Sequence, residues 1–489
     1  MRTARTVLFW FLAGALLAAH LLVAWNSLFV ARLWEDEAFN LTVPLNLLAG
    51  LGYTSDGTLS GSTLTPFDPR ISTGPSVLLP AAAVIATGID PVIGGRLVCL
   101  GYWGLLLAGL WIIGRRIAGR WAALVAVAVP LAFNSASGFS PIQGPADLLG
   151  EIPAAALLVW ALIVLPRRAW LAGLLVGLAI QAKLIALLAL PAFAVALWAI
   201  TPGHGWLRIR MTFRRALLPL GLAALPILLV ELAAFLTFGP TADYVRHARA
   251  FAGFFRSGGQ DYAPTTVVEK LGTLAESWFV PAWAAVLIAL ATLALTLGGL
   301  WVTRRRGTAV PQGVLTLFWT ATVGAAAFIG WWATAAHTPL WVRHPAPGIF
   351  AFLPLFGVLA VWGARTLWGA PRGRASVTRT LASILVAVVV VGLGAGIGIR
   401  VASEFSPRWE TLPVQRAAVE PIRTWVQQTD TEWLAAEPWG GPVSAVVLSG
   451  AHVGLFDAPA MKDVPRLTTQ ECAGGELVTG SGYRVCAAP

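Results

Sequence analysis

The sequence predicts an all-α polytopic membrane protein of about 11 transmembrane helices, with interfacial helices in its first outer loop and a small C-terminal α/β domain in the periplasm. Three observations lead there. Of the 489 residues, 57% are hydrophobic and 12% charged, for a mean hydropathy of +0.74, more apolar surface than a soluble core needs. The apolar residues gather in runs of spanning length. Arginines cluster in the short segments between alternate runs, and acids avoid those segments.

In order, the runs fall at residues 7–30, 92–113, 121–138, 148–165, 169–182, 184–200, 216–238, 279–301, 311–333, 348–364 and 380–399. The stretch from Ser76 to Thr87 is also apolar. At ~1.5 Å per residue it falls short of the ~30 Å hydrocarbon layer, so it reads as an interfacial or re-entrant helix. Counting it as a span would invert every later loop. With it excluded, loops on one side hold eighteen of the 34 basic residues, among them Arg115, Arg116, Arg120, Arg167, Arg168, Arg304, Arg305 and Arg306, and no acid. The positive-inside rule then places the N-terminus in the cytoplasm and the tail from Arg400 outside the bacterial inner membrane. Arg2 and Arg5 precede the first run as in a signal peptide, but no small-residue cleavage site follows, so the run reads as a retained anchor.

This distribution accounts for the formal charge of +11, which in a soluble chain would suggest nucleic acid; here no nucleic-acid partner is expected. Three cysteines are too few for a disulfide scaffold and lack zinc-cluster spacing. Cys99 reads as a packing residue, whereas Cys472 and Cys486 lie in the outer tail, where they can pair.

Residues 1–400 form the expected catalytic membrane domain and 401–489 a soluble outer domain. The tail opens with an amphipathic helix near Gln415 to Gln428 and continues with strand-like runs such as Val443 to Leu448. The other long outer segments, 31–91 and 239–278, exceed what a connection needs, and such loops carry function. No internal repeat is visible.

Directly after the first run come Glu35, Asp36 and Glu37, flanked by Trp34 and Phe39. Adjacent carboxylates repel one another, which favours a group able to take a proton near neutral pH; the bland alternative is a solvated helix start with acids at the N-terminal dipole. Tyr53 follows, then the Pro/Gly-rich stretch 66–75, built to hold one irregular shape. A second outer turn holds Asp147 and Glu151 at i, i+4, which places both on one helix face if the helix begins there. They suit a metal, an acceptor hydroxyl or a phosphate counter-charge, and equally simple capping. Lys183 at a tight outer turn, and Arg343 with His344 just before the tenth run, supply cations that can grip phosphate; snorkelling is the bland reading. Glu231 lies inside the seventh run and is assigned no role. The sequon at Asn40 is read as chance.

The outer Asp36-Glu37 pair, the Tyr-containing Gly/Pro loop, Gly95-Arg96-Leu97 at the start of the next span, the Gly114-Arg115-Arg116 turn, the acidic second loop, the stretch from Gly177 to Lys183 and the late Arg343-His344-x-x-Pro347 together resemble bacterial C-superfamily (GT-C) glycosyltransferases, relatives of protein O-mannosyltransferases and lipid A aminoarabinose transferases. The resemblance covers about the first 200 residues, and beyond them rests mainly on span count. It implies inverting transfer of a sugar from a polyprenyl-phosphate donor to an envelope glycan, lipid or protein acceptor at the outer face. Asp36 then matches the proposed general base with Glu37 beside it, and Lys183 and Arg343 match positions expected to hold the donor phosphate. Gly74-Pro75 stands where the family often has Pro-Pro, and His344 where it has Tyr. No cofactor is implied with certainty, and a divalent metal is left open. The rival reading, a transporter or flippase for lipid-linked sugars, calls for charged or broken helices through the bilayer, whereas these acids gather at its surface. A catalytically empty scaffold leaves the carboxylate cluster without a purpose.

Overall fold

The computed structural model describes residues 2–56, 64, 67, 73–136, 141–239, 241–242, 244–245, 248–249, 263–369, 375–408, 410–438 and 440–488. Most of the Pro/Gly-rich stretch 66–75 and most of the outer segment 239–262 lie outside the described residues.

Each of the eleven apolar runs contains a helix: α1 (Arg2–Trp25, extended by a π turn, Asn26–Val30), α4 (Pro91–Ala118), α5 (Arg120–Ala132), α6 (Glu151–Val164), α7 (Ala169–Ala182), α8 (Leu190–Ile200, after a 3-10 turn from Leu184), α9 (Gly205–Phe238), α11 (Ala282–Arg305), α12 (Gln312–Thr334), α13 (Ala346–Trp368) and α14 (Ala375–Ser403). Among the described residues, seven are long and apolar enough to cross a membrane: α1, α4, α9, α11, α12, α13 and α14. The other four have 11 to 14 residues, about 20 Å of rise at most. The run at 121–138 shortens because its helix ends at Ala132, two residues past Pro130.

Helix α13 is the hub, buried along most of its length and packing on α4, α5, α6, α11, α12 and α14. At the periphery, α1, α9, α11 and α14 turn Trp10, Phe11, Leu228, Leu290 and Val391 outward, an apolar belt that suits lipid. Helix ends alternate, so the Arg-rich turns share one end of the bundle, where Arg365 hydrogen-bonds the Ala118 carbonyl.

At the other end lie α2 (Glu35–Leu48) and α3 (Pro75–Ile85), the short helix expected from Ser76 to Thr87. Helix α10 (Val267–Glu276) carries a capping box between Thr266 and Glu269. Its Lys270 ammonium is buried on Trp332 O, Ala335 O and Thr338 Oγ1 at 2.6, 2.5 and 2.6 Å.

The tail folds as α15 (Leu412–Thr429), α16 (Pro442–Ser449) and a mixed five-stranded sheet in the order β2-β1-β3-β5-β4, with β1 Trp433–Ala436, β2 His452–Leu455, β3 Arg466–Thr468, β4 Glu476–Gly480 and β5 Tyr483–Cys486. Cys472 and Cys486 form a disulfide. The expected strand from Val443 to Leu448 is instead α16: Pro442 opens it and Gly450, with φ of 89°, ends it. A six-residue stretch that is apolar apart from Ser444 does not distinguish strand from buried helix.

Several contacts bind this region to the bundle, Arg416 with Asp90 at 2.6 Å among them. Gln415 exchanges hydrogen bonds with the Leu33 backbone at 2.7 and 2.9 Å. Asn26 Nδ2 donates to Glu404 at 2.9 Å. Asp56, in the first outer loop, receives Val453 N–H at 2.9 Å and Asn46 Nδ2 at 2.7 Å, with His452 Nδ1 3.2 Å away.

Candidate active site

The π turn ends at Ala31, and the chain then doubles back so that Trp34, in extended conformation, precedes the first turn of α2. Glu35, Asp36 and Glu37 occupy that turn, where a helix N-terminus favours negative charge. Their side chains diverge. Glu35 lies 3.7 Å from Arg32, Asp36 pairs with Arg343, and Glu37 turns into the interior toward Arg96.

Glu37 and Arg96 are 1% and 0% exposed. Arg96 Nε and Nη2 donate to the two Glu37 oxygens at 2.7 and 2.6 Å, and the remaining donors reach the carbonyls of Leu28, Ala31 and Arg32. Leu148 N–H adds a contact to Glu37 Oε1 at 3.3 Å. This is a fully satisfied buried pair that clamps the 28–37 bend onto α4. Sequence reading named Arg96 only as part of a motif; a charged residue inside an apolar run, on the acidic side, was the signal that it needed a carboxylate partner.

Asp36 opens a second chain of charge. Arg343 pairs with Asp36, lies over the Trp34 ring at 5.5 Å, and reaches Glu151 Oε1 from Nε at 3.5 Å. Lys183 Nζ is 3.0 Å from the same Glu151 oxygen. The side chains of Asp36, Arg343 and Lys183 are 16%, 10% and 16% exposed, so this chain, unlike the Glu37 pair, keeps a path to solvent. Burial works against the Arg343 charge, but Asp36 and then Glu151 outweigh it and raise the guanidinium above its ordinary value.

Two close backbone approaches set Lys183. A Cβ on Gly150 would come 1.9 Å from the Ala182 carbonyl oxygen, and one on Gly74 1.9 Å from that of Gln181. Thr73 bridges Lys183 in antiparallel fashion, and Asn40 Nδ2 donates to Thr73 Oγ1 at 3.1 Å and to Leu148 O at 2.8 Å. The sequon asparagine is therefore a buried brace.

Asp147 and Glu151 do not share a helix face, because the helix begins at Glu151 and Asp147 sits in the turn before it. Asp147 Oδ2 accepts Gln143 N–H at 2.6 Å, and burial, then repulsion from Glu37, push its carboxyl up to about 7. His344 stacks on Trp341 at 5.7 Å. Burial and the positive charges of Arg343, Lys183 and Lys270 press its imidazole down to about 3, so it is neutral at physiological pH. Tyr53 stacks on Phe67 at 5.7 Å rather than on the ion chain. Among the described residues no three His, Cys, Asp or Glu side chains converge as a metal site.

Neither protein-family models nor the sequences of curated proteins match the chain. Solved structures do. ArnT from Cupriavidus metallidurans in the apo state superposes with a TM-score of 0.58 at 12% identity, over 100% of this chain and 98% of that one. The same protein bound to undecaprenyl phosphate gives 0.59 at 12% identity, over 99% and 98%. The chain shares the fold of ArnT. The arabinofuranosyltransferase AftD from Mycobacteria shares it with a TM-score of 0.51 and 18% identity over 91% of this chain, which spans 32% of AftD's length. On this fold the groups singled out by motif, Asp36, Lys183 and Arg343, meet through Glu151 in one ion chain drawn from α2, α6, the turn after α7 and the segment before α13.

Proposed function

We propose that this chain is an integral membrane glycosyltransferase that moves a sugar, with inversion, from a polyprenyl-phosphate donor to an acceptor hydroxyl at the extracytoplasmic face of a bacterial cell membrane. The observation that carries this reading is the ion chain Asp36–Arg343–Glu151–Lys183, at the end of the bundle away from the Arg-rich turns. Residues 1–400 serve as the catalytic unit and 401–489 as an outer unit docked on it, with the N-terminus cytoplasmic.

In this reading Asp36 is the general base. Glu37, whose two oxygens are engaged by Arg96, is the anchor that aims the first turn of α2. The donor phosphate competes with Asp36 and Glu151 for Arg343 and Lys183, its natural bidentate and point-charge partners. Donor binding thus draws the guanidinium from Asp36 and leaves that carboxylate for the acceptor. The acceptor oxygen attacks the anomeric carbon, its proton passes to Asp36, and the carbon–oxygen bond to phosphate breaks, polyprenyl phosphate leaving with the electron pair. Arg343 and Lys183 neutralise that leaving group where charge develops. Neutral His344, with Nε2 lacking a hydrogen-bond partner among the described residues, is placed to bond the donor without adding charge. Asp147 and Tyr53 serve as supports, Asp147 behind Glu37 and Tyr53 beneath the first outer loop.

Support comes from the fold shared with a protein crystallised with undecaprenyl phosphate. The test is mass spectrometry of lipid that copurifies with the detergent-solubilised chain. A polyprenyl phosphate, lost in an Arg343→Ala/Lys183→Ala variant, is expected; a chain that folds and carries no such lipid contradicts the reading.

A further inference from the structure

A cavity opens between the end of the first helix and the last turn of α14. It has a volume of about 330 Å³ and is lined by Arg32, Gln143, Ser403, Ser406, Pro407, Arg408 and Glu410. Arg32 follows the end of the first helix, Gln143 comes from the turn that holds Asp147, and the other five belong to the last turn of α14 and the linker into the outer unit. We propose that this cavity binds the acceptor and that the acceptor is a hydroxyl-rich glycan; the proposal rests on the transferase reading above and deepens it.

Its size is within the range of small-ligand sites. Among the described residues that line it, Pro407 alone lacks a polar side chain. Arginines, an amide, two hydroxyls and a carboxylate are the groups that hydrogen-bond vicinal hydroxyls, donor to one and acceptor to the next. Gln143 Nε2 is buried with no hydrogen-bond partner among the described residues, and it sits in the turn that forms one wall of the cavity.

The neighbouring acids are already engaged. Arg408 Nη2 lies 2.7 Å from Glu404, and Glu410 accepts the Tyr483 hydroxyl at 3.1 Å and lies 3.6 Å from Arg32. The charges are thus balanced, which suits a neutral sugar chain better than a polyanion. Two links join the cavity to the reacting end. Arg32 pairs with Glu35, the residue before Asp36, and the Gln143 backbone holds Asp147 behind Glu37. The first turn of α2 is therefore the partition between them, Glu35 facing the cavity wall and Asp36 facing Arg343. The outer unit shapes the cavity through Tyr483 on β5.

The test places p-benzoylphenylalanine at Ser406, an exposed position, in the full-length chain in its native membrane, with Val391 on the outward face of α14 as control. After irradiation, the purified adduct is hydrolysed and its neutral sugars analysed. Pentoses or hexoses on the 406 adduct and none at 391 are expected, and a Ser403→Trp filling substitution should cut the sugar yield at least fivefold. An adduct of protein or phospholipid alone, no adduct, or equal sugar at both positions overturns the proposal. Polyprenyl phosphate copurifying with the same preparation is scored separately, so a failed acceptor site is distinguished from a failed transferase reading.

Discussion

Arg96 grips both oxygens of Glu37 at 2.7 and 2.6 Å while both side chains are shut away from solvent. Such a pair contributes little net stability against an apolar replacement, but breaking it strands a charge. Arg96→Met is therefore expected to cost about 3–5 kcal/mol, and the Arg96→Met/Glu37→Met double variant to recover most of that loss. Thermal unfolding in detergent reads both. A double variant no more stable than Arg96→Met contradicts the burial argument.

Gly150 tests the placement of Lys183. An added methyl meets the Ala182 carbonyl at 1.9 Å, and backbone cannot yield as a side chain tip does. Gly150→Ala is expected to push Lys183 from Glu151, lowering transfer about ten- to a hundredfold, as sub-ångström to 1 Å misplacements do, at a stability cost of about 1–3 kcal/mol. Gly14→Ala, with nothing within 4 Å, is the control. Unchanged transfer in Gly150→Ala argues against the role given to this turn.

Much of this arrangement was legible in sequence. Spans follow from run length and from arginine position, because lipid leaves backbone and charge few alternatives. Asp36, Lys183 and Arg343 could be named because a carboxylate cluster and phosphate-gripping cations stand beside the bilayer in positions that match the family resemblance. The divergence of Glu35, Asp36 and Glu37 could not, since it depends on the π turn and the 28–37 bend that Arg96 clamps, a tertiary arrangement with no local signature. The helix from Pro442 to Ser449 escaped for a simpler reason: Val443 to Leu448 has no periodicity to read.

Asp147 gives a pH signature. Its carboxyl is raised from 3.8 to about 7 in the folded chain, so the native state holds its proton more tightly than the unfolded state and stability falls as pH rises through that interval. Asp147→Asn is expected to match the wild type near pH 4 and to melt higher than it at pH 8. Equal melting at both values contradicts a protonated Asp147.

His452 acts in the same direction over a higher pH range. Its hydrogen bond to Asp56 raises its pKa above 6.5, so the contact's full stabilisation is present below pH 6.5 and fades as pH climbs past the raised value. Hydrogen exchange at the Val453 amide, which donates to Asp56, should be more protected at pH 6 than at pH 8.5 once the intrinsic rate is corrected. Asp56→Asn should flatten that difference; a difference that persists removes His452 as its source.

The central claim is that Asp36 takes the acceptor proton while Arg343 holds the donor phosphate. Single-turnover transfer by Asp36→Asn, with polyprenyl-phosphate binding measured on the same sample, addresses it most directly. The account predicts that binding persists, and is no weaker because Arg343 is released from its carboxylate, while transfer falls by at least about a hundredfold, within the range for loss of a general base. Transfer at the wild-type rate by a folded, donor-bound Asp36→Asn contradicts it.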